Sequence, residues 1–291
     1  MANITAALIQ ELREKTAAGM MDCKAALTEN NGDIEAAADW LRQKGIVKAA
    51  KKADRVAASG LVAAAKSDDG AFGVIVELNA ETDFVAKNEM FQKLVADTTA
   101  KALELKGDFD AVAGATSDDI KNTISTIGEN MTLRRIASVT GDAVYTYVHN
   151  ALVPGMGQIG VVVAINGDTA QSAEIGPKIA MHIAASKPEF ATIDQVDPNS
   201  VEREKKVFIE SGATAGKPEQ VVEKMVEGRI KKYYGESVLN EQPFVMDPDK
   251  TVGAVLAAAG LTLAGFAYYL LGEGIQRKED NLADEVAKML G

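Results

Sequence analysis

Phe72-Gly73-Val74-Ile75-Val76-Glu77-Leu78-Asn79, followed at once by Ala80-Glu81-Thr82-Asp83-Phe84-Val85-Ala86-Lys87-Asn88, is the stretch on which the reading of this chain turns. The apolar run Val74 to Leu78, opened by Gly73 and closed by Asn79, predicts a buried strand. A helix is predicted to begin near Asn88. Between them Phe84 stands among Glu81, Thr82 and Asp83, just past a strand end, where a rigid scaffold commonly displays binding residues on a loop. Two readings of Phe84 stay open. Either it folds back as a core residue under a capped helix, as most phenylalanines do, or it is displayed.

The run has a second copy. Ile159-Gly160-Val161-Val162-Val163-Ala164-Ile165-Asn166 aligns with Phe72 to Asn79. A strand-like segment precedes each copy, Gly60 to Lys66 and Ala143 to His149. An apolar helix follows each, Phe91 to Leu105 and Glu174 to Ser186. Hairpin plus helix, used twice, predicts an α+β fold with two repeated core subdomains. The second copy carries Gly167-Asp168-Thr169-Ala170 where the first carries Ala80 to Asp83, so the acidic aromatic loop is not needed to build the unit.

Toward the N-terminus, residues 1–45 predict three short helices. Leu8, Ile9 and Leu12 share a face of the first, with Asn3 or Thr5 as cap candidates. Thr16-Ala17-Ala18-Gly19 stops it. The second runs from about Met21 to Asn30 and ends at Asn31-Gly32. Asp33 caps the third, with Ile34, Ala37, Ala38 and Leu41 at helical spacing before Gly45. Met20 and Met21 read equally as core filler or as a flexible partner surface. The basic stretch Lys44 to Arg55 reads as a solvated helical linker, and otherwise as a local anion patch.

Between the two copies, Ser117 to Ile127 predicts a helix and Met131 to Val139 a strand. Beyond the second copy, Val201 to Ser211 and Glu219 to Tyr234 predict an antiparallel helical hairpin that projects from the core. Thr251 to Gly272 lacks charge over about the length that spans a bilayer. Its glycines and alanines favour a helix from Val252 to Ala259 and a strand from Leu261 to Leu271 instead. A last helix is predicted from about Asp280 to Leu290.

The chain of 291 residues has a formal charge of −11, which argues against a main role in gripping nucleic acid. One cysteine, Cys23, excludes an internal disulfide. The N-terminus shows no signal-peptide pattern, which points to the cytoplasm. Gly155-Met156-Gly157-Gln158-Ile159-Gly160 matches a dinucleotide fingerprint but leads into a strand rather than out of one. Gly212 to Lys217 is one residue short of a phosphate loop, and Pro218 occupies the Ser/Thr position. Thiol catalysis would pair Cys23 with His149 or His182, both far along the chain. Two histidines and one cysteine give no metal-ligand spacing.

Several unusual motifs occur in order along the whole chain: Thr16 to Lys24 (TAAGMMDCK), Thr82 to Asn88 (TDFVAKN) and His182 to Pro188 (HIAASKP). Lys217-Pro218 with Glu223 to Arg229 (EKMVEGR), and Gln242-Pro243-Phe244-Val245, extend the set. The chain resembles the bacterial translation elongation factor Ts family, nucleotide-exchange factors for the GTPase EF-Tu.

The resemblance implies an N-terminal three-helix module of ubiquitin-associated type with its linker (residues 1–55) and two core subdomains (56–140 and 141–275). It also implies a helical-hairpin protrusion at about 199–235 and a C-terminal helical module (276–291). It implies that Thr82, Asp83, Phe84 and Val85 act near the Mg²⁺ and phosphate site of the GTPase, with Phe84 similar to the aromatic that wedges between partner side chains. Arg13, Met20 and Met21 correspond to contacts on the GTPase domain, and His182 is a further candidate contact. The implied partner is EF-Tu, both GDP-bound and nucleotide-free. No cofactor, direct nucleic acid, membrane or covalent chemistry is implied. The rival reading is a binding scaffold of ubiquitin-associated type without exchange activity. Two segments depart from the family pattern: Ala151 to Gln158 is longer and richer in glycine, and Ala267-Tyr268-Tyr269-Leu270 is more apolar.

Overall fold

Three helices open the chain in the computed structural model, which describes residues 4–16 and 18–276: α1 (Ala6–Thr16), α2 (Met20–Glu29) and α3 (Ile34–Ala50). Leu12, Cys23, Ala26, Leu27 and Ala37 form their shared core, with Leu8, Ile9, Ile34 and Leu41 packed against it. The apolar spacing had predicted that face. Between α2 and α3 the chain turns through left-handed Asn31 and Gly32, and the Gly32 N–H closes back on the Leu27 carbonyl. Asp33 caps α3 by accepting from the Ala36 N–H.

α3 does not stop at Gly45 as expected. It continues to Ala50, and a Cβ at Gly45 would come within 3.3 Å of Ser125. That glycine serves close helix packing rather than termination. Just beyond α3, Lys52 donates to the Gly128 carbonyl. The basic stretch is therefore partly committed to a helix end, where a cation is favoured.

Two units divide the chain, one of residues 1–63, 76–136 and 270–291, the other of residues 64–75 and 137–269. The hairpin of β1 (Ser59–Lys66) and β2 (Phe72–Ala80) leads through α4 (Asp83–Ala86) to α5 (Glu89–Glu104), α6 (Phe109–Ile127) and β3 (Met131–Thr140). With β5 (Met156–Gly157) these strands order as β3-β2-β1-β5. Every residue of β2 after Phe72 is buried, as the apolar run predicted. Gly60 permits the pairing, since a Cβ there would fall 2.2 Å from the Leu78 carbonyl oxygen. α6 starts well before the predicted Ser117, because Asp108 caps it through the Ala111 N–H and Val112 already enters the core.

In the second unit, β4 (Ala143–His149) pairs antiparallel with β6 (Ile159–Asn166), in register from Ala143 opposite Ile165 to His149 opposite Ile159. β9 (Thr262–Leu270) completes the order β4-β6-β9. α7 (Thr169–Ser186) lays Ile179 and Ile183 against Val161, Val163 and Ile165. It begins at Thr169 rather than Glu174, because Asp168 caps it through the Ala170 and Gln171 N–H groups.

α8 (Pro198–Phe208) ends in a π-type turn, Ile209–Ala213, and α9 (Glu219–Ser237) returns with Arg229 paired to Glu204. The short β7 (Pro243–Phe244) and β8 (Asp247–Thr251) precede α10 (Val252–Ala258). Thr251 to Gly272 thus forms a helix and a strand, and no described helix is long and apolar enough to cross a membrane. The predicted Asn3 cap and the helix from Asp280 lie outside the described residues.

One feature of β2 escapes any pattern of hydrophobicity. Glu77 is fully buried, and its carboxylate accepts from Arg134 at 2.9 Å, Arg135 at 2.5 Å and the Gly272 N–H at 2.8 Å. Burial pushes this carboxyl up, but the Gly272 N–H and the two guanidinium groups outweigh it and hold the pKa below the ordinary value.

Candidate functional site

Between the end of β2 and the start of α5, the chain from Glu81 to Asn88 folds around α4. That helix has only 4 residues, too few to be stable alone. Val85 and Ala86 bury themselves beneath it, whereas Asp83, Phe84 and Lys87 face outward. Phe84 is 76% exposed, which decides between its two readings: it is displayed.

The loop is tied down on both flanks. Thr82 sits at the N-cap of α4 but makes no capping bond there. Its hydroxyl donates instead to Glu129 at 2.7 Å, and its N–H donates to the same carboxylate at 2.9 Å. Glu81 returns the arrangement by accepting from the Asn130 N–H at 2.6 Å, with Arg55 at 3.6 Å. The Asn130 amide donates in turn to the Ala53 and Arg55 carbonyls. On the other flank Asn88 caps α5 through the Met90 and Phe91 N–H groups. The result is a turn held at both ends that exposes the Phe84 ring and, next to it in sequence, Asp83. An aromatic so exposed leaves apolar area available for burial against another surface.

Of the remaining site residues, Met20 and Met21 are 59% and 75% exposed, so neither is core filler. Arg13 is exposed, and together with Met20, Ile9 and Met90 it lines a concavity of about 610 Å³. His182 differs. It is 1% exposed, with Nε2 against Gln242 Oε1 at 2.9 Å and Nδ1 accepting from the Val245 N–H at 3.2 Å. Burial lowers its pKa, against an opposing contribution from Gln242, so the ring is neutral and Nε2 carries the proton. As a surface contact His182 is corrected: it joins α7 to the turn after β7. Val85 likewise anchors α4 from below instead of facing outward.

Cys23 is buried, and that burial raises its thiol pKa, which disfavours the nucleophilic thiolate. Among the described residues, no group of three or more histidine, cysteine or acidic side chains is placed to hold a metal ion. The sequence reading missed Glu129 and Asn130, which hold the loop, and also the buried Glu77. An acid inside an apolar strand, and an Arg-Arg pair inside another, were signals for the last. Nothing local marks Glu129.

The family model described as "Elongation factor TS" matches residues 81–273. Elongation factor Ts of Hyphomonas neptunium is 56% identical, over 99% of this chain and 99% of the relative. That of Paracoccus denitrificans is 53% identical, over 98% of each chain, and that of Caulobacter vibrioides 51%, over 100% of this chain and 99% of the relative. The match reaches both ends and includes the displayed loop, and the chain belongs to the elongation factor Ts family.

Proposed function

We propose that Phe84, with Asp83 beside it, is the element this chain sets against the Mg²⁺ and phosphate site of EF-Tu to release GDP and admit GTP. Membership of the family makes the chain a nucleotide-exchange factor for EF-Tu in translation elongation, one without enzymatic chemistry. The assignment to these residues rests on one observation above all. A largely exposed phenylalanine sits on a helical turn that is clamped at Thr82 and anchored by Val85.

Exchange requires no bond to be made or broken. A factor that binds the nucleotide-free GTPase more tightly than the GDP-bound form weakens GDP by the same factor. A shift of about 10⁴-fold needs about 5.5 kcal/mol of differential binding. One buried aromatic anchor typically supplies about 2–4 kcal/mol. The work is therefore divided. Phe84 and Asp83 disturb the Mg²⁺ site, while Arg13, Met20 and Met21 hold the GTPase and His182 and Val85 act as internal supports.

Within this reading residues 1–55 are a ubiquitin-associated-type module, and 56–140 and 141–275 are related core subdomains. The α8–α9 pair is a protrusion, and 276–291 a C-terminal module. The partner is EF-Tu, GDP-bound or nucleotide-free, in the cytoplasm, without direct contact to nucleic acid or membrane.

Stopped-flow release of fluorescent GDP from EF-Tu, with the parent chain and with Phe84→Ala, tests the assignment. Strong acceleration by the parent that the variant largely loses supports it. Acceleration untouched by the variant moves the site elsewhere, and binding without acceleration favours a scaffold.

A further inference from the structure

We propose that Glu129 is a positioning residue for exchange: by accepting from both the N–H and the hydroxyl of Thr82, its carboxylate holds the Asp83–Ala86 turn so that Phe84 meets the partner in one orientation. The inference rests on the reading that Phe84 is the exchange element.

Three observations carry it. First, α4 is too short to hold its own shape, so the backbone position from which the Phe84 ring projects is set by what grips its ends. Second, Thr82 stands at the N-cap, where a threonine oxygen ordinarily accepts from the helix's own N–H groups, and here makes no such bond. Its hydroxyl is turned outward as a donor to Glu129. Local helix stability does not account for that choice, whereas orientation of the turn does.

Third, the grip is reciprocal. Glu129 takes the Thr82 N–H while Glu81 takes the Asn130 N–H, so two short segments 47 to 49 residues apart each supply a carboxylate to the other's backbone. Bonds to an ionised carboxylate are shorter and stronger than neutral ones, and a pair of them fixes direction as well as distance. The same turn reaches further. Asn130 donates to the Ala53 and Arg55 carbonyls, and Gly128 accepts from Lys52. The segment that follows the N-terminal helices is thus held by the residues that hold the Phe84 loop. Removing the Glu129 carboxylate takes away both bonds to Thr82 and leaves the apolar ring, its Val85 anchor and the Glu81–Asn130 bond in place.

The test measures GDP release from EF-Tu across a range of factor concentrations, for the parent, Glu129→Ala, Glu129→Gln, Thr82→Val and Phe84→Ala. Thermal midpoints and hydrogen exchange of the 82–86 amides are recorded on each chain alone. Glu129→Ala is expected to lower the limiting release rate about ten- to hundredfold, in keeping with loss of charge-assisted hydrogen bonds. The half-saturating concentration should move far less, and the 82–86 amides should exchange faster. Glu129→Gln, whose amide oxygen still accepts from the Thr82 N–H, should recover part of the rate. Thr82→Val, which removes one donor, should show the same split in smaller measure even if Glu129→Ala lowers the thermal midpoint.

An unchanged limiting rate in Glu129→Ala, with Phe84→Ala impaired, overturns this inference and leaves the exchange element in place. Equal losses of rate and affinity in both Glu129→Ala and Thr82→Val overturn it too. A Phe84→Ala variant that exchanges as well as the parent overturns the underlying reading, and this inference with it.

Discussion

After β6 the chain needs only Gly167 and Asp168 to enter α7, whereas after β2 it takes everything from Glu81 to Asn88 to enter α5. Both routes end in the same device, an Asx side chain that caps the helix through its first N–H groups. The strands are matched as well: Phe72 to Asn79 and Ile159 to Asn166 align position for position, and both are largely buried. What the first route adds is a helical turn that contributes one exposed ring and requires a second segment, Gly128 to Asn130, to hold it. A hairpin-plus-helix unit folds without any of this. Residues that a fold does not need, held rigidly in place, are where function is to be sought.

The aligned strands differ inside as well, and the largest expected effect tests that difference. Glu77 in β2 stands where β6 has Ala164. Writing the second strand's residue into the first, Glu77→Ala, leaves Arg134 and Arg135 facing a buried gap. Breaking a buried ion pair from one side typically costs about 3–5 kcal/mol, which a urea unfolding midpoint will show. The reverse change, Ala164→Glu, puts a carboxylate at a fully buried position in β6 and should not fold stably.

Next in size is the loop itself. Phe84→Ala should reduce GDP release from EF-Tu by the equivalent of about 2–4 kcal/mol, with its thermal midpoint unchanged because the ring is exposed. Val85→Ala reverses the pattern. Its buried methyl groups should cost about 1–3 kcal/mol of stability, and any loss of exchange should follow from that. If both variants lose stability and exchange alike, the division between displayed ring and buried anchor fails.

At the second helix the comparison sharpens differently. α7 lies so close to β4 that a Cβ at Gly176 would come 2.1 Å from the Tyr145 ring. Gly176→Ala should destabilise the second unit by about 1–3 kcal/mol through overpacking. Amide exchange at Ile179 and Ile183 reads that out, and the Phe84 loop should keep its protection.

The smallest effect is one of pH. Folding keeps His182 neutral and its pKa below 6.5, so unfolding raises it. The associated stability is complete above about pH 6.5 and is lost as the pH falls from there toward the folded value. Glu77 has a folded pKa below the reference 4.5, so its contribution persists to that pH and is lost only as the pH falls through the lower folded value. Between pH 7.5 and 5.5, therefore, the protection of amides in the α7 core, corrected for the intrinsic slowing of exchange in acid, should fall while that of β2 holds. A His182→Gln variant that keeps the full pH slope would exclude this residue as its source.

By itself the sequence determined the order and type of the longer described elements, the cap at Asp33 and the paired strands, but not the short α4, β5, β7 and β8, because hydrophobic period and cap chemistry act over a few neighbouring residues. Where it erred on boundaries, at Gly45 and before Ser117 and Glu174, the deciding partners were Ser125 and the caps at Asp108 and Asp168. The candidate loop was legible as a position, not as a geometry. Only the tertiary structure decided that Phe84 points out, that His182 points in and that Glu77 is paired. Each outcome rests on residues far along the chain: Glu129 for Thr82, Gln242 and Val245 for His182, Arg134 and Arg135 for Glu77. The direction a side chain takes is settled by its hydrogen-bonding and packing partners, and those meet only once the chain has folded.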